Sequence, residues 1–114
     1  MNMPVDLTFL REITGGDTGV ERELFDVFIS SSAENLESLK TNCDPGKENA
    51  WRSQAHAFKG TSLNLGALIL GHLCKEAQEN YQAPMEKKRQ MLAAIESEFG
   101  RVKEFLEKST STAG

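Results

Sequence analysis

Ala50-Trp51-Arg52-Ser53-Gln54-Ala55-His56-Ala57-Phe58-Lys59-Gly60-Thr61-Ser62-Leu63-Asn64-Leu65-Gly66-Ala67 is the stretch on which the reading of this chain turns. At 100° per residue Ala50, Gln54, Ala57, Phe58, Thr61 and Leu65 gather on one side, which predicts a helix over 45–65 with that side toward a core. His56 then points nearly the opposite way. Around it on the outer face lie Arg52 one turn before, Lys59 and Gly60 one turn after, and Leu63 two turns after. The histidine is expected to be exposed, in a basic and sterically open neighbourhood.

Working outward, breakers at Pro4, Gly15-Gly16, Pro45-Gly46, Gly66, Gly71 and Pro84 divide the chain into segments of helical periodicity. Five helices are predicted, over 6–14, 18–42, 45–65, 67–81 and 84–108. Thr18 with Glu21 has capping-box spacing, Asp44 precedes Pro45 at a first helical position, and Pro84 can open the last helix. In the second helix Phe25, Phe28, Ile29, Ser32, Leu36 and Leu39 form one stripe, and Val20, Leu24 and Val27 a second apolar flank. The short first segment, with Leu7, Phe9, Leu10 and Ile13, is the expected cover for that flank. Leu70, Leu73, Cys74, Ala77 and Tyr81 mark the fourth helix, and Leu92, Ile95, Phe99, Val102 and Leu106 the fifth. The expected fold is all-α: an antiparallel up-and-down four-helix bundle with a short N-terminal covering helix, spanning 1–108. The polar tail 109–114 is expected to fray, and Gly100 inside the last helix has no account at the level of sequence.

Composition bounds the function. The chain has 114 residues, 39% hydrophobic and 26% charged, the size of one domain of ordinary globular composition. Seventeen acids against thirteen bases give a net charge of −4, a poor match to the basic footprint that nucleic acid requires. The longest apolar run, Ala67 to Leu70, falls far short of the ~20 residues that span a bilayer, and the N-terminus lacks a signal-like core. A cytoplasmic location, no membrane partner and reduced thiols at Cys43 and Cys74 are the corresponding expectations.

An exposed histidine by itself is an ordinary surface residue. The surroundings of His56 set it apart. A neutral imidazole is a nucleophile near pH 7, and Lys59 would attract the phosphoryl oxygens that carry charge during transfer. Gly60 removes a side chain beside the ring, and a mid-helix glycine asks for such a reason because it is locally unfavourable.

These residues carry a resemblance. His56-Ala57-Phe58-Lys59-Gly60-Thr61-Ser62-Leu63-Asn64-Leu65-Gly66-Ala67 resembles the signature of histidine-containing phosphotransfer (HPt) domains, in which lysine and glycine follow the histidine by three and four residues and an Asn-Leu-Gly-Ala run comes after. Phe58 stands where the family often has leucine. The resemblance extends over essentially the whole chain and implies a phosphorelay intermediate in two-component signalling. His56 would accept a phosphoryl group from the aspartate of one receiver domain and pass it to the aspartate of another, with electrostatic help from Lys59 and steric access at Gly60. Gln78 occupies a family position where a polar side chain lies close to the active histidine.

The implied partners are response-regulator receiver domains and a hybrid sensor histidine kinase, with Arg52 and an apolar Leu63 on the docking face. A monomer is expected, with no resident cofactor; Mg2+ would sit on the receiver. Three rivals differ in what they need. A metal site would use His56, His72, Cys43 and Cys74, but His72 and Cys74 are two residues apart and on different helix faces. A histidine kinase would need a nucleotide-binding glycine loop and an acidic residue where Ala57 stands. A helical interaction module of the same fold without phosphotransfer would bind partners and never form an acid-labile phosphate.

Overall fold

Five helices account for most of residues 4–111, the part of the chain that the computed structural model describes, with residues 9, 13 and 109–111 described in backbone only. They are α1 (Thr8–Thr14), α2 (Thr18–Thr41), α3 (Glu48–Leu65), α4 (Leu68–Glu79) and α5 (Met85–Ser111). No strand occurs among the described residues. Contacts run from α2 to α3, α3 to α4 and α4 to α5, and return from α5 to α2, while α1 lies against α2. The interior of this ring is apolar. Phe28 and Phe58 each set a tilted ring against Phe99, at centroid separations of 6.4 and 6.3 Å, so that α2, α3 and α5 meet through one aromatic cluster.

Helix bounds differ from the expected ones, α1 beginning at Thr8 rather than at 6 and α4 spanning Leu68–Glu79 rather than 67–81, and local chemistry explains the departures at α2, α3 and α5. Asp17, not Thr18, caps α2: its Oδ1 accepts from the N–H groups of Gly19 and Val20, satisfying two donors of the first turn. Glu21 is thereby released from a capping box and is buried against α1, accepting from the Thr14 hydroxyl at 3.2 Å with Arg11 3.8 Å away. Asp44 to Lys47 form a turn closed by Lys47 N–H on Asp44 C=O, so α3 begins at Glu48 rather than at Pro45. α5 begins at Met85, with the Pro84 carbonyl accepting its first bond from Lys88, and runs three residues past the expected end at 108. Residues 112–114 of the expected frayed tail lie outside the described residues.

The stripe of α2 is as expected, with Phe25, Phe28, Ser32, Leu36 and Leu39 buried. Its second flank is not covered: Val20, Leu24 and Val27 stay exposed, Val27 to 64%. The N-terminal segment packs elsewhere, burying Val5, Leu7 and Leu10. It is held by Asp6 N–H donating to Gly66 C=O at 2.9 Å and by Glu21. The side chains of Phe9 and Ile13, expected in the cover, lie outside the described residues.

The core face of α3 is also corrected. Trp51, Ala55, Phe58, Ser62 and Leu65 are buried, whereas Ala50 and Ala57 are exposed and Gln54 and Thr61 are half-buried. The helix is turned by roughly 60° from the expected register at 100° per residue. Burial of Trp51 explains the turn. An indole removes ~200 Å² from water, about 5 kcal/mol at the usual coefficient, against less than 1 kcal/mol for each alanine methyl given up.

Candidate functional site

The turned register still leaves His56 on the outside of α3, on the side that faces α4. Its Nδ1 lies 3.4 Å from the Oε1 of Gln78 in the last turn of α4, longer than an ordinary N–H···O bond. An amide oxygen only accepts, so a hydrogen bond in this pairing would need the ring proton on Nδ1, with the lone pair then on Nε2. The arrangement presents an exposed imidazole with the Gln78 amide beside its Nδ1.

One turn further along, Lys59 is half-buried and makes no ion pair among the described residues. A Cβ built on Gly60 would meet nothing within 4 Å, and its backbone is ordinary helix, so the glycine leaves open space beside the ring rather than serving a strained backbone. One turn before, the Arg52 guanidinium carbon sits 4.9 Å from the centroid of Tyr81, beyond the end of α4. Leu63 is 41% exposed but has a packing partner: a Cβ on Gly71 of α4 would collide with its Cδ2. Leu63, expected as an apolar residue of the docking face, thus also packs within the fold, in a gap that Gly71 leaves.

The end of α3 is shaped by the same motif. Gly66 takes a left-handed φ of 94°, and Ala67 N–H reaches back to Ser62 C=O in a Schellman-type cap. A Cβ on Gly66 would collide with the carbonyl oxygen of Asp6, so the close approach of the N-terminal segment requires glycine as well.

The remaining candidate ligands are not brought to this site. His72 is exposed on α4, and Cys74 is fully buried on another face of the same helix, where burial pushes its thiol up to about 12. Cys43 is buried after α2, with its thiol directed at Lys40 C=O. Among the described residues no three His, Cys, Asp or Glu side chains group as a metal site. No described helix is long and apolar enough to cross a membrane.

Two residues that sequence reasoning did not single out flank the site. Trp51, a core residue of α3, donates its indole N–H at 2.7 Å to the carbonyl of Ala77, the residue before Gln78. Tyr81, expected only as a core residue, carries Arg52 on its ring. Neither signal exists within α3, because both contacts depend on how α4 lies against it.

The sequence matches the family description Hpt domain over residues 23–107, and the chain belongs to this family, whose members are phosphocarrier modules and not classical enzymes. The structure is similar to that of histidine-containing phosphotransfer protein B (HptB) from Pseudomonas aeruginosa PAO1, with a TM-score of 0.83 and 30% sequence identity over 96% of each chain. A comparison with curated protein sequences finds no match. Family and fold together make this a phosphotransfer-type HPt protein.

Proposed function

We propose that the chain is a phosphorelay intermediate that carries a phosphoryl group on His56 between receiver-domain aspartates. The observation that carries this reading is the exposed imidazole, its Nδ1 facing Gln78 and open space beside it at Gly60. The Nε2 lone pair attacks the phosphorus of an aspartyl phosphate, forming the N–P bond. The P–O bond to the aspartate breaks, and the carboxylate leaves with its electron pair. The Nδ1 proton stays in place, with Gln78 Oε1 accepting from a ring that has become cationic. Onward transfer is the reverse of these events on a second receiver. Lys59 offsets charge on the transferred group. Magnesium bound to the receiver would neutralise charge at the aspartate end.

Arg52 and Leu63 belong to the face that meets the receiver, Arg52 fixed by Tyr81 and Leu63 seated over α4. The short connections between α2, α3, α4 and α5 support an antiparallel up-and-down course, in which this face lies on two adjacent helices. The chain acts in this reading as a monomer, in the cytoplasm, with a hybrid sensor histidine kinase upstream.

The test is phosphate uptake from a phosphorylated receiver domain. His56→Gln is expected to abolish uptake with the far-ultraviolet circular dichroism unchanged. Labelling that persists, or that moves to His72, overturns the assignment. Receiver binding by the native chain without any acid-labile phosphate would instead make it an interaction module.

A further inference from the structure

Gln78 can hold His56 in one tautomer only if the last turn of α4 is itself held, and that turn is a weak place in any helix. α4 ends at Glu79, so the carbonyls of Glu76, Ala77, Gln78 and Glu79 have no partners within the helix. Two of the four find partners. Glu76 C=O accepts from the backbone N–H and the side-chain amide of Asn80. Ala77 C=O accepts from the Trp51 indole at 2.7 Å, across the interface between α3 and α4. Trp51 is fully buried, and the Lys88 ammonium of α5 lies 5.2 Å from its ring centroid, so the indole is held by two helices besides its own. Its donor therefore arrives at Ala77 from a rigid body.

The consequence is geometric. Trp51 and His56 belong to one helix, five residues apart, and Ala77 and Gln78 are consecutive on the other. The bond from Trp51 to Ala77 fixes the rotation and the axial position of the last turn of α4 against α3 next to the place where Gln78 must meet the imidazole. Three residues after Gln78, Tyr81 follows the same turn and carries Arg52. We infer that Trp51 is a positioning residue for the phosphoacceptor: its indole N–H, by capping Ala77 C=O, holds Gln78 against Nδ1 of His56 and Tyr81 beneath Arg52. This rests on the phosphotransfer reading for its use, but not for its measurement.

The experiment reads the ring of His56 in the unphosphorylated protein by 15N NMR, alongside the rate of phosphate uptake. In the native protein Nδ1 is expected to carry the proton and Nε2 the lone pair. Trp51→Phe keeps an aromatic core residue and removes the donor; the expected result is a shift of the tautomer population toward Nε2–H and an uptake rate lower by about tenfold, within the range that misplacement of a reacting group produces. Benzothienylalanine at position 51, which keeps the indole shape without the N–H, is expected to behave alike and covers the case in which Trp51→Phe fails to fold. Lys88→Met removes the cation above the ring while keeping the N–H, and is expected to leave the tautomer unchanged although it disturbs the same end of the structure. In a Gln78→Ala background, loss of the indole donor is expected to shift the His56 tautomer no further. An unchanged tautomer in both position-51 variants overturns the proposal, as does an equal shift in Lys88→Met. A shifted tautomer in a protein that never takes up phosphate leaves the positioning role standing and removes the phosphorelay reading instead.

Discussion

Phosphorylation of His56 would add about −1.5 to −2 charges to a ring one helical turn from Lys59. A single cation at that distance in a water-facing site contributes on the order of 1 kcal/mol, so Lys59→Ala is expected to slow uptake by about fivefold and to shorten the life of the phosphorylated form. Stopped-flow transfer and a hydrolysis time course measure the two effects, and unchanged kinetics would return Lys59 to the solvated surface. Cys74 poses a stability question instead. Burial raises its thiol from 9.0 to about 12, so the fold favours the neutral form. That contribution is complete below pH 9.0 and is lost as pH rises from there through about 12. Urea unfolding at rising pH is expected to show a steeper alkaline loss of stability for the native chain than for Cys74→Ala. At this scale the exposure of His56 and Leu63 was legible, because spacing along one helix is enough to place them away from the core, whereas Lys59 and Gly60 are half-buried. Trp51 and Tyr81 were not, since an indole bonded to Ala77 and a ring beneath Arg52 exist only once two helices are docked.

Two helical glycines allow function to be separated from folding. A Cβ would meet nothing within 4 Å at either Gly60 in α3 or Gly100 in α5, and neither has a positive φ. Alanine at each position is expected to stabilise the protein by up to about 1 kcal/mol, seen as a raised melting temperature. Only at Gly60 should bulk carry a penalty: Gly60→Gln is expected to keep much of the stability gain yet impair transfer, and a native transfer rate in that variant would end the access argument. Nothing in the structure explains Gly100. Helix existence and the stripes of α2, α4 and α5 could be read from periodicity, because each buries one face. Starts were less legible where two side chains competed for one role. Asp17 displaced Thr18 as cap, and the freed Glu21 became the anchor of α1. Periodicity alone does not give the register of α3, because it weighs small residues on one side equally with one large indole.

Over the whole molecule, the N-terminal segment shows how little of a docking arrangement is visible in hydrophobic pattern alone. Val20, Leu24 and Val27 offered an apolar surface to cover, yet the segment is tied to the far end of α3 through Asp6 and Gly66 and to α2 through Glu21. Directional bonds and the space left by one glycine outweighed a flank of three side chains. The ring of helices was legible in outline, since four amphipathic segments with short connections have few other ways to bury their stripes. The buried indole of Trp51 also makes the protein its own optical probe. The chain contains one tryptophan, buried, hydrogen-bonded and beneath a lysine ammonium, and one tyrosine, so intrinsic fluorescence reports one known place. Emission is expected at short wavelength in the folded state and to move to the red on unfolding. For a two-state transition, the fluorescence and circular-dichroism curves will coincide. A tryptophan transition that precedes loss of helix would show that α3 and α4 part first, and a quenching titration could then follow that opening during phosphotransfer without any added label.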